Sequence, residues 1–314
     1  MADPDLRARA LIPAPPAPPA TLPDVAILAG QIRLSSRALY GRDIAAYLAF
    51  CAGDQGLALE PSSLARWRAF LADQTTQSPN TINRKLAAVK RLLKEAAEQD
   101  LIDHERAARF AAISGVQKRA LKERLKEHAR TLITPAQMRK LCDRPNLETL
   151  RGRRDRALLH TLASSGLRVS EAAGLRWGDI VPVEAGYSLQ VLGKTDIEPR
   201  TALLSLEAYG YITTWLAARP VESNYLFTRF QGRAARPLNT PISTVAAWQI
   251  VQEYASACEL SHIKPHDFRR YFGTQLTARF GIREAQKALG HKSIATTAQY
   301  DLQPLLPGLS EGLY

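Results

Sequence analysis

Six side chains in the second half of this 314-residue chain could do chemistry together. Arg168 lies in Ser165-Gly166-Leu167-Arg168-Val169-Ser170-Glu171, and Lys194 lies in Gly193-Lys194-Thr195. His266 and Arg269 share His266-Asp267-Phe268-Arg269, and His291 precedes Tyr300 by nine residues. Two arginines can grip the non-bridging oxygens of a phosphodiester. Two histidines and a lysine can move protons near neutral pH. A tyrosine becomes a covalent nucleophile once a neighbour accepts its proton. The set therefore suits phosphoryl transfer without a metal or a nucleotide.

Singly, each residue has a plainer reading: a solvated arginine at a helix start, a turn lysine, a surface His266/Arg269 pair at i and i+3, a packed tyrosine. Gly193-Lys194-Thr195 is not a phosphate-binding P-loop, because position 188 is serine where that motif needs glycine. His262, His266 and His291 have no acidic or thiol companion at metal-ligand spacing, so no metal site is expected from them.

The elements that must carry these residues are mostly helical. Ile82, Leu86, Val89, Leu92, Leu93 and Ala96 recur at helical spacing and predict a helix over Thr81 to Glu98, capped by Asn80 or Thr81. Its polar faces hold Arg84, Lys85, Lys90, Arg91 and Lys94, either a solvated face or a phosphate-contacting one. Thr134 before Pro135 predicts a helix start. Arg154 to Ser165 reads as a buried helix ending near Gly166. Tyr187 to Leu192 and Arg200 to Leu204 read as paired strands around a turn at Gly193 to Asp196, and helical patterns dominate from there to the end. Gly290 suits a left-handed cap after Leu289, and Ser293 suits the cap of a short helix delivering Tyr300.

Composition sets outer bounds. Apolar residues make up 46% and charged residues 23%, as in ordinary globular proteins, which argues against a disordered chain. No uncharged apolar run is long enough to cross a membrane, and the amino-terminal stretch is not a secretory signal. Cys51, Cys142 and Cys258 lie far apart, which suits a reducing, cytoplasmic setting. The net charge of +12 points to an acidic partner such as nucleic acid, and it is split evenly between residues 1–131 and 132–314. The expected layout is a Pro/Ala-rich tail over 1–22, a helical domain over 23–116, a basic linker over 117–131, a mixed domain over 132–301 and a leucine-rich tail over 302–314.

With those residues in view, the sequence resembles the tyrosine recombinases, or phage-type integrases. Ser165-Gly-Leu-Arg-Val-Ser-Glu171, His266-Asp-Phe-Arg-Arg270 and Leu289-Gly-His-Lys-Ser-Ile-Ala-Thr-Thr-Ala-Gln-Tyr300 carry the resemblance in order, over about residues 25–305. It departs in Ser165, where threonine is common, and in Arg270 and Tyr271, where His-Thr is common. The resemblance implies a mainly α fold with a small β-sheet: an all-helical core-binding domain and a mixed α+β catalytic domain closing as a C-shaped clamp on duplex DNA. It implies that Tyr300 attacks the scissile phosphate to form a 3′-phosphotyrosyl link, that Arg168 and Arg269 hold the phosphate, and that Lys194 protonates the leaving 5′-oxygen. Lys264 and Lys292 compete for that last role. His266 would assist proton transfer, His291 would hydrogen-bond the phosphate, and Glu171 would orient its neighbours. Arg84, Lys85, Lys90, Arg91, Lys118, Arg119 and Lys122 are the expected DNA contacts outside the site. The implied activity is site-specific recombination of double-stranded DNA at an inverted-repeat core site, through a Holliday junction. It would be carried out by a homotetramer with no cofactor, no metal, no membrane and optional accessory proteins. The leucine-rich tail would dock on a neighbouring protomer. DNA relaxation in the manner of a type IB topoisomerase, hairpin-forming telomere resolution, and non-catalytic DNA-binding regulation are the alternatives.

Overall fold

The structure, a computed structural model, describes residues 21–124, 133–193, 198–232 and 236–301. It is mostly helical with small antiparallel sheets, and it divides into two compact units, Met1–Ala129 and Arg130–Tyr314. The expected tails over 1–22 and 302–314 lie almost wholly outside the described residues.

The first unit holds helices α1 (Leu34–Phe50), α2 (Gln55–Ala58), α3 (Pro61–Asp73), α4 (Pro79–Glu98) and α5 (His104–Ala112). The α4 helix is its axis. Ile82, Leu86, Val89, Leu92, Leu93, Ala96 and Ala97 form a buried stripe that meets Tyr47, Trp67 and Phe110 in one apolar core. Tyr47 and Trp67 pack with ring centroids 5.1 Å apart, and the Tyr47 hydroxyl donates to the Ala58 carbonyl at 3.0 Å, so its polar end is satisfied inside the core. The cap of α4 is Ser78 rather than Asn80 or Thr81: its hydroxyl accepts from the Thr81 amide at 3.3 Å. Pro79 explains the shift, because proline fits the first helical position and pushes the capping role to the residue before it.

The cations of α4 are tied down within this unit. Arg84 pairs with the buried Asp43. Lys90 donates to the carbonyls of Ala111 (3.2 Å) and Ile113. Arg91 donates to Gln31 at 3.1 Å, and Lys85 lies 5.9 Å from the centre of the Trp67 ring. Four residues expected to touch phosphates thus also have partners within this unit. Lys118, Arg119 and Lys122 are exposed, on a 3-10 stretch over Lys118–Arg124 within the segment expected to be a linker.

The second unit is built on α7 (Leu150–Ser165), whose Ala157, Leu158, Leu159 and Leu162 are fully buried. Before it comes α6 (Pro135–Cys142), where Thr134 and Gln137 form a reciprocal capping box. After it come α8 (Val169–Gly174), strands β1 (Ile180–Val183), β2 (Gly186–Val191) and β3 (Arg200–Leu204), and α9 (Leu206–Ala218). The three strands form an antiparallel meander in which Ile180 faces Leu189, and Val191 faces Arg200. A second hairpin, β4 (Thr228–Gln231) and β5 (Arg236–Pro241), leads into α10 (Thr244–Ala257), α11 (Pro265–Phe280), α12 (Ile282–Leu289) and α13 (Ile294–Ala298).

The sequence reading held helix to the end after β3 and missed both β1 and the β4/β5 hairpin. Pro237 and Pro241 lie in β5 and Pro182 in β1, and proline demotes a segment as a strand unless it sits at an edge, as each of these does. Ser293 precedes α13 as expected, but its side chain makes no capping bond. The three cysteines are free and buried. No described helix is long and apolar enough to cross a membrane.

Candidate active site

The site is assembled where helices end and begin. Gly166 closes α7 in the left-handed conformation at φ 61°, and a side chain there would collide with Phe272, so only glycine fits both demands. The chain then turns through Leu167 to Arg168, the cap residue of α8. The Glu171 carboxylate reaches back to the Arg168 amide at 2.9 Å and accepts from the Arg168 guanidinium at 2.7 Å. The short Gly166-to-Glu171 segment thereby fixes an arginine that remains 45% exposed and a carboxylate that is only 3% exposed.

Arg269, on α11, is 1% exposed. It donates to Gly166 O at 2.8 Å and to Leu289 O at 2.6 Å, the carbonyls that end α7 and α12. Helix carboxyl termini carry unsatisfied carbonyls and partial negative charge, so a buried guanidinium is well held there. Burial, and then the nearby Arg168, pull its proton affinity down to about pKa 10. The guanidinium stays charged at neutral pH.

A third arginine, to which the sequence pattern gave only a place in a strand, completes this frame. Arg200, the first residue of β3, donates to Glu171 at 2.9 Å and to the Ala288 carbonyl at 3.2 Å, while its Nε is buried without a partner. Gly290, in the left-handed conformation at φ 65°, lets that side chain pass: a Cβ there would lie 2.3 Å from Arg200 Cδ. A guanidinium rarely gives up its proton, so the part of Arg200 is to hold Glu171 rather than to protonate a leaving oxygen. Burial alone would raise the Glu171 pKa, but hydrogen bonds from Arg168 and the charge of Arg200 outweigh it and hold the carboxyl below its ordinary value.

His266 sits in the first turn of α11 at the surface, and partial desolvation and Arg269 disfavour its protonation. His291 follows Gly290. Burial, then Arg269, Arg168, Arg200 and His266, lower its pKa to about 4, so it is neutral at physiological pH. Its Nδ1 lies 2.9 Å from the Thr297 hydroxyl. Thr297 stood inside the motif between His291 and Tyr300 but was given no role from sequence.

Tyr300 is two residues past α13 rather than within it, and is 2% exposed. Its ring stacks 5.7 Å from that of His291, and its amide donates to the Thr297 carbonyl at 2.8 Å. It packs with Phe272 and Leu289, close enough to Gly273 that a Cβ there would come within 2.9 Å of the ring. Arg168, Glu171, Arg269, His266, His291 and Tyr300 are therefore one neighbourhood. Lys194 lies outside the described residues, while Lys264 and Lys292 are exposed.

Among the described residues one group has metal-ligand composition: Asp143, His160 and Glu207, with ligand atoms within 4.8 Å of one another. Its charges are already matched, because Arg139 pairs with Glu207 and Arg156 with Asp143. It is built from α6, α7 and α9, not from the segments around Tyr300.

Comparison with known proteins agrees with this geometry. Residues 131–303 match the phage integrase family. The tyrosine recombinase XerD of Neisseria meningitidis serogroup A is 34% identical over 248 residues, covering 70% of this chain and 82% of that protein. The tyrosine recombinase XerC of Pelobacter propionicus is 32% identical over 273 residues, covering 84% and 83%. The fold is similar to that of a lambda integrase dimer bound to a COC′ core site (TM-score 0.62, 16% identity, 88% of this chain and 92% of that one). It is also similar to XerH recombinase bound to palindromic difH substrate (TM-score 0.62, 18% identity, 87% and 77%). The chain belongs to the phage integrase family and is a tyrosine-type site-specific recombinase.

Proposed function

We propose that this recombinase cuts and rejoins duplex DNA at Tyr300, with Arg168, Arg269, His266 and His291 as the phosphate and proton machinery. One observation carries the reading: three guanidiniums and two histidines gather near Tyr300, with the ionised Glu171 carboxylate holding two of the guanidiniums. Three guanidiniums beside one carboxylate leave an excess of positive charge, and a phosphodiester would offset it.

In this reading the Tyr300 oxygen attacks phosphorus as its proton passes to His266. Arg168 and Arg269 stabilise the charge that develops on the non-bridging oxygens. The bond to the 5′-oxygen breaks, and Lys194 gives that oxygen its proton. One phosphodiester has become another, a 3′-phosphotyrosyl link, so bond energy is conserved and the reverse attack by a 5′-hydroxyl reseals the strand. Exchange of two such strands gives a Holliday junction. Glu171 acts by orienting Arg168. We infer an inverted-repeat core site, a tetramer on DNA with the 302–314 segment docking between protomers, a DNA-contacting role for the helical domain over 23–116 and the exposed Lys118, Arg119 and Lys122, and a cytoplasmic setting. The similarity to proteins that are recombinases favours recombination over DNA relaxation or regulation.

Covalent capture tests this. The full chain is incubated with DNA of its own replicon in EDTA without ATP, beside Tyr300→Phe. SDS-resistant adducts in the wild type alone are expected, and adducts in both would place the nucleophile elsewhere.

A further inference from the structure

We propose that Thr297 sets the tautomer of His291, and thereby decides which ring nitrogen carries the proton offered to the phosphate. This rests on the placement of His291 at the phosphate argued above.

The geometry begins with the 2.9 Å contact between His291 Nδ1 and the Thr297 hydroxyl. Thr297 is fully buried, and the His291 ring is the one hydrogen-bond partner of that hydroxyl among the described residues. A hydroxyl in this position has two choices. If it accepts from an Nδ1–H, its own proton is buried with no acceptor, which is costly. If it donates, Nδ1 is the acceptor and the buried hydroxyl proton is satisfied. Thr297 therefore donates, Nδ1 is unprotonated, and the single proton of the neutral imidazole sits on Nε2. An Nε2–H is a donor and suits a phosphate oxygen; the opposite tautomer would present a lone pair to that oxygen.

The surroundings support a neutral ring, since burial and the neighbouring arginines oppose a second proton. The preceding Thr296 is exposed and cannot substitute. Thr297 also accepts the Tyr300 amide through its carbonyl at 2.8 Å, so one residue aligns both the nucleophile's backbone and the histidine's proton. Thr297 is thus a positioning residue that acts through His291.

The test is nitrogen NMR of the full chain labelled with 15N-histidine, without DNA. The His291 signals among the six histidines are assigned from their loss in His291→Gln. The wild type and Thr297→Ser should show a protonated Nε2 and an unprotonated Nδ1. Thr297→Val, nearly isosteric but without the hydroxyl, should shift the ring toward mixed tautomers. In the covalent-capture assay Thr297→Val should lower adduct formation about tenfold and Thr297→Ser should restore most of it. A wild-type ring protonated on Nδ1 overturns the proposal, and so does a Thr297→Val ring with an unchanged tautomer. If Thr297→Val fails to fold, the wild-type and serine spectra still decide. If the tautomers behave as expected while His291→Gln forms adducts at the wild-type rate, the tautomer assignment stands and the placement of His291 at the phosphate falls.

Discussion

The basic residues of α4 and those around Tyr300 look alike in sequence and behave differently in the fold. On α4, Arg84 meets Asp43, Lys90 meets two carbonyls at the end of α5, and Arg91 meets Gln31. Each cation has found its own partner and helps to close the unit. Around Tyr300, Arg269 and Arg200 also hold carbonyls, but Arg168 and Arg200 share one carboxylate, Glu171, with Arg269 a third positive charge nearby. Burial first, and then the neighbouring guanidiniums, lower the pKa of Arg269 to about 10 and that of His291 to about 4. Positive charge in a sequence marks a ligand site only where the fold leaves it without an equal number of partners.

That contrast can be broken most forcefully with conservative arginine changes. Arg269→Lys keeps a charge but cannot bridge Gly166 and Leu289, and adduct formation should fall by about a hundredfold or more. Arg84→Lys on α4 should leave adduct formation nearly unchanged; an equal loss in both would erase the distinction.

A paired glycine experiment comes next. Gly53 in the first unit (φ 77°) and Gly290 in the second (φ 65°) both have left-handed backbone, but only Gly290 has a neighbour, Arg200, against its missing side chain. Gly53→Ala should cost about 1–2 kcal/mol in urea denaturation and no cleavage. Gly290→Ala should cost more and also reduce cleavage, because Arg200 must leave Glu171 and Ala288.

Asn83 exchanges two hydrogen bonds with the Val116 backbone, at 2.7 and 3.0 Å. Asn83→Ala should lower the stability of the first unit by about 1–3 kcal/mol, with no change in cleavage per folded molecule.

The smallest effect is with pH. His160, His266 and His291 all lie in the second unit and have pKa values below the usual 6.5. Above about pH 6.5 they are neutral in both states and contribute nothing. Below it the unfolded chain takes up protons first, so stability of the second unit should decline toward pH 4. His291→Gln should flatten that decline in thermal melts.

Much of this was legible in the sequence because local rules and tertiary needs coincided. The α4 stripe, the Gly166 and Gly290 terminators and the β2/β3 pairing follow from periodicity and backbone preference, and the structure has each of them. The β4/β5 hairpin was hidden because Pro237 and Pro241 are read locally as strand breakers, while their edge position is a tertiary fact. Arg200 was hidden because its value lies in linking Glu171 to the end of α12, residues 29 and 88 positions away. Thr297 was visible as a residue but not as a partner, since its hydroxyl gains meaning only from burial beside His291.

The central claim is that the site holds positive charge in readiness for a phosphate. It is tested most directly by titrating His291 in the Tyr300→Phe protein by NMR, alone and bound to a short duplex carrying the cleavage site mapped by covalent capture. The duplex carries either an ordinary phosphodiester or an uncharged methylphosphonate at the scissile position. The account predicts a pKa near 4 without DNA, a clear rise with the charged linkage, and little rise with the uncharged one. The same pKa with both linkages would mean that the scissile phosphate is not the counter-ion these arginines and histidines await.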